Sequence, residues 1–191
     1  MNRNNIDISI IVVNHNRSNY IERCLRSCID QVLFNKNFEV IFIDDASKDN
    51  SFEIAKKFRS SIRLFKLKKN KGISYASNFA IKKSNGRYFI RVDSDDYINK
   101  HTIDFMSEIL SKNQNVAFVY CDHHRVDEYG NVEKIVRLKN KEILKNHGAG
   151  IMFNKKIFKD YGGYNQKLAE AEDYEILDKI LKKEKVFYLP L

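Results

Sequence analysis

Proline, glycine and cysteine are scarce in this chain. One Pro and seven Gly among 191 residues exclude collagen-like repeats and a linker-rich organisation. Three Cys in a chain this long give no disulfide framework and make a reducing cytosol the expected setting. No apolar run approaches the ~18–20 residues that a membrane span needs, and the polar start Met1–Asp7 does not resemble a signal peptide. Acidic residues are outnumbered, 25 Asp and Glu against 34 Lys and Arg, which leaves a net charge of +9 and a pI near 9.3. That surplus favours an anionic partner: nucleic acid, an anionic lipid surface or a phosphorylated small molecule. Lysines within 66–71, 139–145 and 179–185 read first as solvated faces. Apolar and aromatic residues are abundant: 43% of the chain is hydrophobic, with 13 Phe and 10 Tyr. Such a composition buries a sizeable core and argues against disorder. The expectation is one soluble cytoplasmic domain over residues 1–191.

The pattern alternates strand-like and helix-like segments. Ile8–Val13 is a β-branched run suited to a strand covered on both faces. Ser18-Asn19 then caps a helix through about Val32, with Ile21, Leu25, Cys28, Ile29 and Val32 on one stripe. Phe38–Ile43 reads as a strand, Asn50-Ser51 starts a helix to about Phe58, and Ile62–Leu67 alternates like a third strand. Ile73–Lys83 reads as a helix ended by Asn85-Gly86, followed by a strand at Tyr88–Val92, a helix at Thr102–Leu110 and a strand at Val116–Cys121. Beyond Cys121 the pattern loosens. Asp127–Asn131 resembles a hairpin turn with Glu133–Leu138 returning, Glu172–Lys183 is a helix, and Val186–Leu189 a terminal strand. Repeated βα units imply an α/β fold with a mostly parallel sheet flanked by helices and a smaller, irregular second half.

Such sheets bind ligands beyond the carboxyl ends of their strands, so polar residues placed just after strands become the candidates. These are Asn14–Arg17, Asp44–Ser47 and Asp93–Asp96. A basic protein that gathers carboxylates there calls for a compensating hard cation, and Mg²⁺ or Mn²⁺ commonly bridges carboxylate to substrate phosphate. In Asp93-Ser94-Asp95 alternate carboxylates of an extended segment face the same way. The competing reading has Asp95 or Asp96 capping a helix near Lys100. Asp44-Asp45 with Ser47 and Asp49 fits turn chemistry equally well as it fits an acceptor for a nucleobase N–H, beside which the His15 ring could stack. Glu170, Glu172 and Asp173 form a third acidic cluster.

Several signatures are absent: the dinucleotide G-x-G-x-x-G, the G-x-x-x-x-G-K-[ST] phosphate loop and the G-x-S-x-G elbow. Cys24 and Cys28, i and i+4 on a helix, read as core rather than a zinc site, as does Cys121. Metal ligation by His123-His124 is weighed against an exposed loop.

Taken in order, ISIIVVNHNR, FEVIFIDDASKDNS, NKGISYASNFAIKKSNGRYFIRVDSDD, FVYCDHHRVDEYGN, GAGIMFNKKIFKDYGGYN and LAEAEDYEILDKI resemble the family 2 glycosyltransferases of GT-A fold over nearly the whole chain. The resemblance implies a nucleotide-sugar-binding half over 1–97 and an acceptor-side half over 98–191. Asp44 and Asp45 are similar to the family's base-reading pair. His15, with Asn16 and Arg17 beside it, stands where members often place a Tyr. Asn70, Lys71 and Gly72 match a stretch near the donor. Asp93 and Ser94 would lie near the ribose, and Asp95 would hold Mn²⁺ or Mg²⁺ on the diphosphate, with Asp96 sharing or replacing either role. Asp173 matches the catalytic base, and Glu172 is the alternative.

The implied activity is inverting, metal-dependent transfer from a nucleotide-diphosphate sugar, UDP first, to a saccharide or lipid-linked hydroxyl in surface polysaccharide or glycolipid synthesis. A peripheral membrane contact is compatible with it. No Q-x-x-R-W motif or following membrane helices occur, which fits addition of one sugar or a defined few. The chain stops at Leu191, about where members continue with further helices, so part of an acceptor site is expected in sequence beyond it. A nucleotidyltransferase acting on a sugar phosphate is the rival enzyme, but no Gly-rich basic loop follows the first strand. A nucleic-acid-binding domain accounts for the +9 charge and leaves the carboxylate clusters unexplained, so no nucleic-acid partner is expected.

Overall fold

The computed structural model describes residues 6–140, 148–168 and 172–190. Its elements follow in the order β1 (Ile8–Asn14), α1 (Ile21–Ile29), β2 (Phe38–Asp44), α2 (Ser51–Lys56), β3 (Arg63–Lys66), α3 (Ile73–Lys83), β4 (Tyr88–Asp93) and α4 (Thr102–Lys112). Then come β5 (Val116–Cys121), β6 (His123–Val126), β7 (Val132–Val136), β8 (Ile151–Asn154), α5 (Lys155–Asp160), α6 (Glu172–Leu181) and β9 (Lys185–Leu189). Among the described residues seven strands make one sheet in the order β3-β2-β1-β4-β8-β5-β9, and β6 pairs with β7 as a separate hairpin. The expected parallel α/β sheet is present, with one exception: β8 is antiparallel to both β4 and β5.

Strand alternation builds the two cores. Ile8, Ile10 and Val12 of β1 join Val40 and Phe42 of β2 against Leu25 and Cys28 of α1 and Met106 of α4. Ile11 and Val13 point to the other face, with Ile41 and Ile43, against Ala76 and Ala80 of α3, Phe158 of α5 and Ile176 of α6. Both faces of β1 are thus covered, which is why its seven residues are all buried and Ser9 and the terminal Asn14 are its polar residues. Phe89, Phe153 and Phe158 pack with ring centroids 4.9–5.2 Å apart and close the join between β4, β8 and α5.

Three expectations about element ends need correction. Helix α1 stops at Ile29 rather than Val32, because Val32 turns away to donate its N–H to the Lys100 carbonyl (2.8 Å) and is left 52% exposed. Ser18 does not cap that helix: the N-cap is Tyr20, and Ser18 instead donates its N–H to Asp49. Neither Asp95 nor Asp96 caps α4, whose N-cap is His101. The turn over Asp127–Asn131 forms as expected, closed by the Gly130 N–H on the Asp127 carbonyl (3.1 Å). No described helix is long and apolar enough to cross a membrane.

Candidate functional site

Strand register sets the site. Asn14 lies opposite Asp44, and Val13 opposite Asp93, so the carboxyl ends of β1, β2 and β4 finish in one row. The loops that follow β1 and β2 are stitched together. Asn16 N–H donates to Ser47 Oγ (3.0 Å), Lys48 N–H to Asn16 Oδ1 (2.8 Å), Arg17 N–H to Ser51 Oγ (3.1 Å) and Ser18 N–H to Asp49 Oδ2 (2.9 Å). Asn16 and Ala46 both adopt positive φ, 55° and 58°. For alanine that conformation costs about 1 kcal/mol or more, and it falls directly after Asp45.

The two adjacent aspartates take different work. Asp44 is fully buried, accepting from Asn14 Nδ2 (3.2 Å) and from the Ser47 N–H (3.0 Å); it serves the turn and does not line the hollow. Asp45 accepts the Lys71 and Gly72 N–H groups, one on each carboxylate oxygen at 2.8 Å, which brings the Asn70–Gly72 segment over the end of β2. His15 lies 2.8 Å through Nδ1 from the Asp45 carbonyl. Because a carbonyl only accepts, Nδ1 carries the proton. Its Nε2 faces the amide nitrogens of Asn16 (3.0 Å) and Asn70 (3.2 Å), each amide oriented by an N–H on its oxygen. Both ring nitrogens are therefore engaged, and the faces of the exposed ring are what remain for contact.

Val13, His15, Arg17, Asp45, Ile73, Asp93, Ser94 and Asp95 line a hollow of about 270 Å³ at this rim. Asp95 accepts from Arg17 Nε (3.1 Å). Desolvation, followed by repulsion from Asp93 and Asp95, pushes Asp96 up to about 6 against the pull of Arg23. Among the described residues no three His, Cys, Asp or Glu side chains converge as a ready cation cage. What Asp93, Asp95 and Asp96 offer is a short loop of hard carboxylate oxygens. That donor set fits Mg²⁺ or Mn²⁺, which bind through one or two carboxylates and complete their shell with water and substrate phosphate.

Sequence reasoning missed the residue that joins this loop to the third acidic cluster. Arg91, on β4 and only 8% exposed, lies 3.3 Å through Nε from Asp93 Oδ1, donates from Nη1 to Glu172 Oε1 (2.8 Å) and from Nη2 to Asp173 Oδ2 (2.5 Å). Its guanidinium also lies 5.2 Å from the Tyr164 ring centroid. One signal was available: an arginine inside Tyr88–Val92, an otherwise apolar run, needs carboxylates to neutralise it. Glu172 is 5% exposed and held by Arg91, while Asp173 is the more accessible of the two side chains, 14% against 7%. Burial pushes Asp173 up to about 6; Arg91 opposes it, and Glu172 and Asp93 add to it. Neither Glu172 nor Asp173 lines the hollow itself. Glu170 lies outside the described residues. Cys24, Cys28 and Cys121 are buried core thiols, and His123 and His124 stand on β6 rather than in a loop.

Comparisons with known proteins bear on the family and the fold. Residues 9–162 match the glycosyl transferase family 2 profile. A glycosyltransferase of Rickettsia conorii is 29% identical over 92% of the chain, and the chondroitin synthase of Pasteurella multocida (strain Pm70) is 29% identical over 91%. The chain spans only 31% and 18% of those relatives' lengths. Among solved structures, S. aureus TarS 1–349 superposes with a TM-score of 0.80 at 25% identity, over 96% of this chain and 58% of that one. A mannosyltransferase from Pyrobaculum calidifontis, solved with GDP-Man and Mn²⁺, shares the fold with a TM-score of 0.77 at 20% identity, over 96% and 54%. The chain belongs to glycosyl transferase family 2, and its GT-A architecture is that of a glycosyltransferase.

Proposed function

We propose that this glycosyltransferase moves a sugar from a nucleotide-diphosphate donor, UDP-linked first, to a hydroxyl of a saccharide or lipid-linked acceptor, with inversion at the anomeric carbon. One observation carries the reading: His15, Asp45, Asp93 and Asp95 share a hollow at the ends of parallel strands, and a buried arginine ties Asp93 to Asp173 beside it. A TarS structure in complex with UDP-GlcNAc, 25% identical with a TM-score of 0.77, supports UDP. The chondroitin and hyaluronan synthases among the relatives support a saccharide acceptor and a role in polysaccharide synthesis.

Asp45 accepts from the base N–H with the carboxylate capacity that two backbone donors leave free, and His15 offers a ring face to the base. Asn16 and Asn70 back the His15 ring, and the Lys71 and Gly72 N–H groups hold the Asp45 carboxylate, while Asp93 and Ser94 face the ribose. Asp95 and Asp96 hold Mn²⁺ or Mg²⁺, which when bound supplies Lewis-acid stabilisation of the departing diphosphate. The exposed Arg17–Asp95 pair is worth only about 0–1 kcal/mol, so Asp95 can exchange partners at little cost and free the Arg17 guanidinium for a phosphate oxygen. Asp173 takes the proton from the acceptor hydroxyl as that oxygen bonds to the anomeric carbon. The carbon–oxygen bond on the opposite side breaks, and nucleoside diphosphate leaves with the electron pair. Attack from the far face inverts the centre, as in inverting glycosidases.

The test is a panel of UDP-, GDP-, CMP- and dTDP-sugars with and without Mn²⁺, read by thermal shift and by nucleotide release. Stabilisation by one nucleotide only when metal is present supports the reading; stabilisation by none sinks it. Asp95→Ala is expected to abolish the metal-dependent part of donor binding. Asp173→Asn is expected to abolish transfer while donor affinity stays within about threefold of the parent.

A further inference from the structure

We propose that Arg91 is the positioning residue of this site: its guanidinium fork, set between Glu172 and Asp93, holds the Asp173 carboxylate in place. The proposal rests on the reading of Asp173 as the base.

The geometry is that of a clamp. Three guanidinium nitrogens face three carboxylates, Asp93 on its own strand and Glu172 and Asp173 at the first described turn of α6. The partners are 81 and 82 residues away in sequence, so nothing local directs them toward β4. A planar fork can serve Glu172 and Asp173 at once, each through its own nitrogen, where an ammonium would offer one point charge. Glu172 thereby becomes a counter-charge and a spacer that keeps the fork in plane, and Asp173 remains the more accessible of the two. Gly148 bounds the other side, where any Cβ would overlap the Asp173 carboxylate. Asp173 thus lies between a charged donor and a wall.

Among the described residues, the charged and titratable groups around Asp173 are Arg91 and Asp93 from β4, Glu172 from α6 and Tyr164 from the segment before it. Of these only Arg91 is positive. Burial raises Asp173 to about 6, and Arg91 is the foremost influence holding it down. Without that cation the carboxylate would keep its proton to higher pH and be a poorer base in neutral solution.

The experiment follows the carboxyl resonance of Asp173 in the full chain carrying ¹³C-labelled aspartate, assigned by its loss in Asp173→Asn. The parent is compared with Arg91→Lys and Arg91→Met, each checked for a cooperative thermal transition. The parent is expected to titrate near pH 6. In Arg91→Met the midpoint should rise by about one pH unit or more, the size of effect a neighbouring opposite charge has. Arg91→Lys keeps the charge without the fork: its midpoint should stay near the parent's, while turnover of the donor selected by the panel falls at least about tenfold with its KM little changed. If Arg91→Met does not fold, Arg91→Lys and Glu172→Gln carry the test. Removing the negative charge of Glu172 should lower the Asp173 midpoint. An unmoved midpoint in Arg91→Met or Glu172→Gln, or full turnover in Arg91→Lys, overturns the proposal. Transfer that survives Asp173→Asn would instead sink the reading of Asp173 as base, a result separable from the Arg91 titration.

Discussion

A methyl group on Gly148 would meet both the Asp173 carboxylate oxygen and its Cγ inside van der Waals range. The obstructing atoms are the end of a short side chain already held by Arg91, so the overlap is relieved by turning Asp173 out of its place rather than by moving backbone. Gly148→Ala is therefore expected to keep its melting temperature within a few degrees and to lose transfer by about a hundredfold, the penalty that small displacements of reacting groups bring. Nucleotide release assayed beside thermal unfolding checks both halves. The rim carboxylates were readable from sequence because Asp44-Asp45 and Asp93-Ser94-Asp95-Asp96 each follow a β-branched run. Which member of a pair does which work was not. Asp44 turns into the protein toward Asn14 and Ser47 while Asp45 faces the hollow, as adjacent side chains of an extended segment point to opposite sides. Arg91 escaped notice for a related reason: its carboxylate partners lie on a helix more than 80 residues later, and only the folded chain brings them together.

Among the elements, β1 and β2 stood out because burial on both faces leaves continuous apolar runs at Ile10–Val13 and Val40–Ile43. β8 did not: four residues, Ile151–Asn154, inserted antiparallel between β4 and β5, carry no βα rhythm of their own. The opposite rim of the sheet is organised by one side chain. Glu39, at the start of β2, accepts from Ser9 Oγ on β1 (2.8 Å), from Arg63 Nη1 on β3 (2.5 Å) and from the Asn85 N–H (2.5 Å) and Nδ2 (3.2 Å) before β4. Gly86 follows, packed so closely that a Cβ would lie 2.6 Å from the Ser9 nitrogen. Burial opposes ionisation of Glu39, but the hydrogen bonds from Asn85, Arg63 and Ser9 outweigh it and hold the carboxyl below its ordinary value. The unfolded chain then binds the proton more readily than the fold. This contribution is complete above the unfolded value of about 4.3 and is lost as pH falls through the lower folded value. Glu39→Gln is expected to cost about 1–3 kcal/mol at neutral pH. Its deficit against the parent should shrink in acid, as measured by urea unfolding at pH 7 and pH 3.

At the scale of the whole molecule, the two rims of the sheet have opposite thermodynamic characters. At the Glu39 end, charge and hydrogen bonds work together for stability. At the carboxyl end, the fold gathers Asp93, Asp95, Asp96, Glu172 and Asp173 in a protein whose net charge is +9, and both Asp96 and Asp173 are pushed up to about 6. An Asp raised above its unfolded value of about 3.9 binds its proton more tightly in the fold, so between roughly pH 4 and 6 stability falls as pH rises, and the penalty is complete by neutral pH. On the proposed role of Asp173 as base, the same titration governs activity with the opposite sign: transfer needs the unprotonated carboxylate, so kcat/KM should drop about tenfold per unit below pH 6. A proposed base kept in place at a cost in stability leaves a signature. Asp173→Asn removes the buried negative charge beside Glu172, while Arg91 keeps Glu172 and Asp93 as counter-charges. The inactive variant is expected to melt a few degrees above the parent at pH 7, a gain of about 1–2 kcal/mol. That margin should close toward pH 4, where both proteins are neutral at this position. Calorimetric scans of the two proteins at pH 7 and pH 4 measure it, and a variant that melts lower at pH 7 would mean that the Arg91–Asp173 pair stabilises the fold outright instead of being maintained for chemistry.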